Sequence, residues 1–232
     1  MNAPKNVTAN FAIDQMTLTV YSDHGQPNPT VGAHAYNFGT DVTASCGATP
    51  FYDPGDHRIR YVCTGWTGTG SVPASGGGTS TTFTITMDST VTWLWKTQYL
   101  LETGVDPADG GTVDVTPSGG WYNDGTTVTL TATPNAGYVF TGWTGDYTGT
   151  QNPLSVTMDG PKSLMAHFSK ATLVVDSAPG SGSCSPDVGT HTYDWGATVT
   201  LQANTPFTSG DNQYRCTGWT GPGAVPASGS AS

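Results

Sequence analysis

Apolar and polar residues alternate along short runs of this chain. Val7, Ala9 and Phe11 share one face of the run Asn6–Phe11, and the same spacing recurs in Val91, Trp93 and Trp95 and in Leu164, Ala166 and Phe168. A period of two, carried by β-branched and aromatic residues, predicts half-buried strands. Thr fills many of the outward positions, which suits a pleated surface. Gly, Pro, Asn and Asp gather between the runs, as at Asp106–Gly111, Pro117–Gly125 and Pro134–Gly137, and predict turns. No segment sustains a 3.6-residue period, so the expected fold class is all-β.

The runs recur in register. Thr-Gly-Trp-Thr-Gly stands at Thr64–Gly68, Thr141–Gly145 and Thr217–Gly221, with 77 residues from Trp66 to Trp143 and 76 from Trp143 to Trp219. Such a constant period marks tandem modules. A Gly and a β-rich run precede each Trp, at Gly39, Gly125 and Gly196, and Met-Asp with a closing strand follows at Met87 and Met158. Met1–Phe11 matches Met158–Phe168 in length and pattern, so residues 1–15 read as the closing strand of a preceding copy. The expected organisation is therefore a closing strand (1–15), a first repeat (16–97), a second (98–169) and a third (170–232) lacking its closing strand. Each repeat is expected to hold five or six short strands in about 75 residues. Modules that small bury little surface alone and gain from neighbours or crosslinks. A rod of repeats touching only sequential neighbours is the expected shape. In-phase Trp66, Trp143 and Trp219 are expected in the core.

Composition narrows the function. Only 10% of the 232 residues are charged and the net charge is -10, so no basic face for a nucleic acid can be assembled. No apolar run approaches the length of a membrane span. The start of the chain carries no signal-peptide pattern. The sequence contains no Gly-x-Ser-x-Gly elbow, His-Glu-x-x-His or phosphate loop, and no enzyme activity or cofactor is expected.

Four cysteines are present, without a Cys-x-x-Cys. Cys63 and Cys216 stand three residues before their Trp, where the second repeat has Phe140. Cys46 and Cys184 lie upstream within the same repeats. Pairing Cys46 with Cys63 and Cys184 with Cys216 is the one arrangement that stays within repeats, and each staple would contribute about 2–4 kcal/mol. Four buried free thiols and metal ligation are the alternatives.

The segments Gly110-Gly-Thr-Val113, Gly125-Thr-Thr-Val-Thr-Leu-Thr-Ala-Thr-Pro-Asn-Ala-Gly-Tyr-Val-Phe-Thr-Gly-Trp-Thr-Gly-Asp146 and Val156-Thr-Met-Asp-Gly-Pro161, followed by a strand ending in Phe168, resemble the divergent internalin-B B-repeat family. The second repeat matches closely. The first and third keep the Gly-Trp core but carry longer hairpins, Phe51–Tyr61 and Phe207–Tyr214, and the cysteines. The resemblance implies a non-enzymatic β module of large secreted or surface-anchored bacterial or archaeal proteins, acting as stalk, spacer or adhesive element. It transfers no catalytic or binding residue.

His24, His34, His57, His167 and His191 lack a nucleophile motif and read as strand residues facing water. Asp106, Asp109 and Asp114 around Gly110-Gly111 suggest calcium weakly, since a site needs six to eight oxygens. Trp121, Tyr122 and Trp195 lie in turn-like or edge segments and could stack on sugar rings, or cover a neighbouring repeat. Asn6-Val7-Thr8 is the lone glycosylation sequon. Two functions compete: a structural module, and a binding module for a surface glycan or host protein. A third expectation concerns assembly, in which Val7, Ala9 and Phe11 fill the open groove of another copy, head to tail. The alternative there is a continuous polypeptide whose missing strand lies beyond Ser232.

Overall fold

The computed structural model describes residues 5–176, 183–220 and 228–229, and contains no helix among them. The all-β expectation is met.

The first repeat begins with β1 (Gln15–Tyr21), β2 (Gly32–Asn37) and β3 (Thr40–Ser45). It continues through β4 (Phe51–Tyr52), β5 (Ile59–Thr69), β6 (Ser75–Gly76) and β7 (Ser80–Ile85). The next strand, β8 (Ser89–Asp106), runs 18 residues without a break and serves two repeats. Its first part closes the first repeat, pairing in parallel with β1 and antiparallel with β5. Its continuation opens the second repeat, where Gln98–Leu100 pair with β10 (Trp121–Asn123).

The second repeat adds β9 (Gly111–Thr116), then β11 (Thr126–Pro134), β12 (Val139–Gly145), β13 (Leu154–Met158) and β14 (Lys162–Ser169). Strands β9, β11 and β13 form one small sheet, with β11 in the middle, and β14 lies between β12 and β8. The third repeat consists of two-stranded pieces. These pair β15 (Ala171–Val175) with β17 (Gly189–Tyr193), and β16 (Cys184–Ser185) with β18 (Gln202–Ala203). They also pair β19 (Phe207–Ser209) with β20 (Asn212–Tyr214), and β21 (Trp219–Thr220) with β22 (Ser228–Gly229).

The chain folds as two compact units. The first comprises Met1–Glu102, Thr116–Thr129 and Ser155–Ser163, and the second comprises Thr103–Val115, Leu130–Leu154 and Leu164–Ser232. In the first unit the pair β3–β7 covers the sheet that contains β1, β8 and β5. Alternate inward residues meet there: Leu18 and Val20 from β1, Val42 and Ala44 from β3, Phe83 and Ile85 from β7, and Val91 and Trp93 from β8. Their alternation with outward residues, mostly Thr that is half-buried on β1 and β8 and exposed on β3 and β7, is the physical cause of the strands. In the second unit Trp143 is the largest fully buried side chain, and it packs with Phe140 and Phe168 in an edge-to-face chain.

The recurrent Thr-Gly-Trp has a local explanation. Both β5 and β12 shift register at this point, between Cys63 and Gly65 and between Phe140 and Gly142. One extra residue bulges out, and the Trp after it turns inward. The glycine takes φ of 141° at Gly65 and 149° at Gly142, values that a side chain strongly disfavours. The Thr hydroxyl then donates to the neighbouring strand, Thr64 to the Leu94 carbonyl at 3.3 Å and Thr141 to the His167 carbonyl at 3.1 Å. Trp66 and Trp143 are buried. The side chain of Trp219 lies outside the described residues.

Candidate functional site

The closing strand is the feature that recurs with the most consequence. Between its neighbours it buries Val91 and Trp93 in the first repeat, and Leu164, Ala166 and Phe168 in the second. Residues 5–14 carry the same alternation but have no strand partner among the described residues. Val7 and Phe11 are each 94% exposed, and Ala9 is exposed too. The same pattern is thus core where it is sandwiched and bare where it is not.

The joins between repeats are stitched by matching positions. In the first unit the Arg60 guanidinium lies 4.3 Å over the Trp121 ring, and its Nε donates to Gln98, which donates in turn to Asn123. In the second unit Lys170 occupies the phase of Gln98 and pairs with Asp194 at 2.9 Å, in the phase of Asn123. The Lys170 ammonium stands 5.0 Å from the Tyr138 ring, and the Trp195 amide donates to the Gly137 carbonyl. The hydrogen bond from Lys170 to Asp194 raises the lysine above its ordinary range. In each join a hairpin of the earlier repeat touches an antiparallel pair of the later one, β8 with β10 in the first join and the ends of β15 and β17 in the second.

These contacts revise the aromatic candidates. Trp121 is half-buried, with one face under Arg60 and Tyr52 edge-on at 5.8 Å. Tyr122 is buried, and its hydroxyl donates to the Pro117 and Gly119 carbonyls. Trp195 is 61% exposed. So two of the three cover their own surroundings, and Trp195 is the open ring.

The four cysteines are free thiols, and the expected disulfides are not formed. In the first repeat the two partners are nonetheless brought together in the core, both buried in one cluster and near enough for the Cys63 thiol to act on Cys46. Burial first, and the Cys63 thiol second, push Cys46 up to about 12. Both sulfurs also find carbonyls, Cys46 at Gly47 and Cys63 at Gly65 and Gly78. The third repeat is built differently. Seven residues after the phase-setting glycine stands Cys46 in the first repeat but Ala203 in the third, and Cys184 sits across from Ala203 on β16. Cys184 and Cys216 are half-buried.

The acidic residues proposed for calcium have separate partners. Asp106 Oδ2 meets His167 Nδ1 at 3.1 Å, Asp109 accepts from the Tyr138 hydroxyl at 2.8 Å, and Asp114 is exposed on β9. No cluster of three or more His, Cys, Asp or Glu able to hold a metal occurs among the described residues. His34 and His191 repeat one structural role, each ring nitrogen meeting the carbonyl four residues earlier, Thr30 and Asp187. His24 stacks on Tyr61 at 3.4 Å. His167 is the exception. Besides Asp106, its Nε2 meets Thr144 Oγ1 at 2.8 Å. Sequence reasoning treated these three residues separately, because Asp106 and His167 lie 61 positions apart.

A family model described as the divergent InlB B-repeat domain matches residues 101–172. That segment is the second repeat, shifted by three residues, and over it the expected family is met. No curated protein and no solved structure matches the chain. No helix among the described residues is long and apolar enough to cross a membrane.

Proposed function

We propose that this chain is a structural repeat segment of a secreted or surface-anchored bacterial or archaeal protein, serving as stalk or spacer. The observation that carries the reading is β8, a single strand that closes one repeat and opens the next. The stitched joins and the B-repeat match support it. Side chains at the joins are committed to neighbouring repeats, which is what a spacer requires.

The finer reading is that repeats are completed by strand exchange between copies, head to tail. In another copy, Val7, Ala9 and Phe11 would enter a groove equivalent to the one that Val91, Trp93 and Trp95 fill in the first repeat. Backbone pairing would supply affinity and the alternate side chains specificity. The test is a labelled peptide of residues 5–14 titrated against the full chain. Binding that Phe11→Asp in the peptide abolishes supports exchange. Absence of binding removes strand exchange and leaves the spacer reading standing.

A second reading, glycan or host-protein binding, is favoured by one observation, the open ring of Trp195. Glycan-array binding lost on Trp195→Ala and kept on Trp121→Ala would support it.

A further inference from the structure

Thr144 on β12, His167 on β14 and Asp106 at the end of β8 form a continuous hydrogen-bonded row. Its chemistry is directional. A carboxylate can only accept, so Asp106 holds the His167 proton on Nδ1. Nε2 is then the bare nitrogen and accepts from the Thr144 hydroxyl at 2.8 Å. A hydroxyl whose proton already points at a bare imidazole nitrogen, with the ring oriented by a third group, is an activated nucleophile.

Two further observations point to a site. Thr144 and His167 line a shallow cleft of about 290 Å³, together with Gly142, Thr148, Gly149 and Thr150. A small molecule can therefore reach the hydroxyl. The row is also dispensable for the sheet, because the first repeat builds the same bulged pairing with Leu94 opposite Gly65, where the second has His167 opposite Gly142. The histidine is an addition to the repeat architecture.

We propose that Thr144, His167 and Asp106 form an acyl-transfer site with Thr144 Oγ1 as nucleophile and carboxylic esters as substrates. Thr144 Oγ1 bonds to the ester carbonyl carbon while its proton passes to His167 Nε2. The ester C–O bond breaks, and the leaving oxygen takes that proton from His167. The products are O-acyl-Thr144 and an alcohol. Water, deprotonated by the same nitrogen, then releases the carboxylic acid and restores the hydroxyl. Asp106 is a positioning residue, acting through the ring. Among the described residues that line the cleft His167 is the one imidazole, so esters of acidic alcohols suit the site better than amides. This inference goes beyond the spacer reading and does not rest on it.

The test uses the full chain with p-nitrophenyl acetate, following nitrophenolate release and mapping acetylated peptides by mass. The expected result is an acetyl group on Thr144 under initial turnover. Thr144→Val abolishes that label, and Thr144→Ser keeps it. His167→Gln slows release about a hundredfold, the low end of what a positioned base contributes. Asp106→Asn lowers kcat and leaves KM unchanged. All three positions are at the surface or half-buried, and unchanged Trp fluorescence confirms that each variant folds. Acetyl groups confined to lysines or the amino terminus, no label at all, or a Thr144→Val rate equal to that of the parent would overturn the proposal.

Discussion

The Thr141 hydroxyl donates to the His167 main-chain carbonyl at 3.1 Å, at the point where the bulge before Trp143 interrupts the strand ladder. The side chain thus supplies a bond beside the place where the backbone pairing is broken. Thr141→Val keeps shape and β propensity but removes the donor. We expect a loss of about 0.5–1.5 kcal/mol, the net worth of one hydrogen bond, in urea unfolding. Thr64→Val should behave alike, since Thr64 serves Leu94 in the same way.

Replacing the glycine of this motif should cost more. Gly65→Ala must hold φ near 141° and would drive its new carbon into the Gly76 carbonyl. Gly142→Ala faces the same φ problem, but its carbon would stand 3.0 Å from the Gly149 carbonyl oxygen. Strain of this kind costs about 1–3 kcal/mol, and we expect Gly65→Ala to be the more damaging of the two in thermal melts.

The thiol pair predicts an alkaline effect. Cys46 stays protonated in the fold up to about 12, whereas its unperturbed value is 9.0. Between those values the unfolded chain has lost the proton and the folded one retains it. The contribution is therefore fully present below pH 9 and is lost as pH rises towards about 12. Cys46→Ala, which copies Ala132 of the second repeat, should flatten stability over that window. Chemical unfolding at a series of alkaline pH values measures it.

Thiol accessibility gives an independent check. In the reduced native protein, alkylation should modify Cys184 and Cys216 first and Cys46 and Cys63 slowly, following their burial. Under an oxidant such as a small disulfide, Cys46 and Cys63 should close on each other, because the fold already seats them side by side. Peptide mapping that finds Cys46 joined to a cysteine of the third repeat would refute this.

At the first join, Arg60 and Trp121 should be coupled. A double-mutant cycle with Arg60→Ala and Trp121→Ala should return about 0.5–1 kcal/mol for the cation–π contact. Additive losses would mean that the two residues act independently.

Strand positions were legible because burial imposes a period of two on Leu18, Val20, Val91 and Trp93, and the Trp phase exposed the repeat. The bulge was not legible. The recurrent Thr-Gly-Trp marked the repeat, but only pairing with Leu94 and His167 reveals why Gly65 and Gly142 must be glycine. The joins escaped for another reason. Arg60 and Trp121 are neighbours only once two hairpins fold, and no local periodicity encodes a contact across 61 positions. The row through His167 was hidden in the same way, with its three members contributed by three different strands.

Because β8 ends one repeat and begins another with no turn between, the segment that recurs in the sequence is not the segment that folds. A cut after Thr97, where the repeat count resets, would split a strand and leave both halves short of a partner. Gene duplication can copy such an array from any starting point, while excision is tolerated only in the turns. Tension applied along the chain would pass through that shared strand directly, so that neither repeat can release its edge without loading the other.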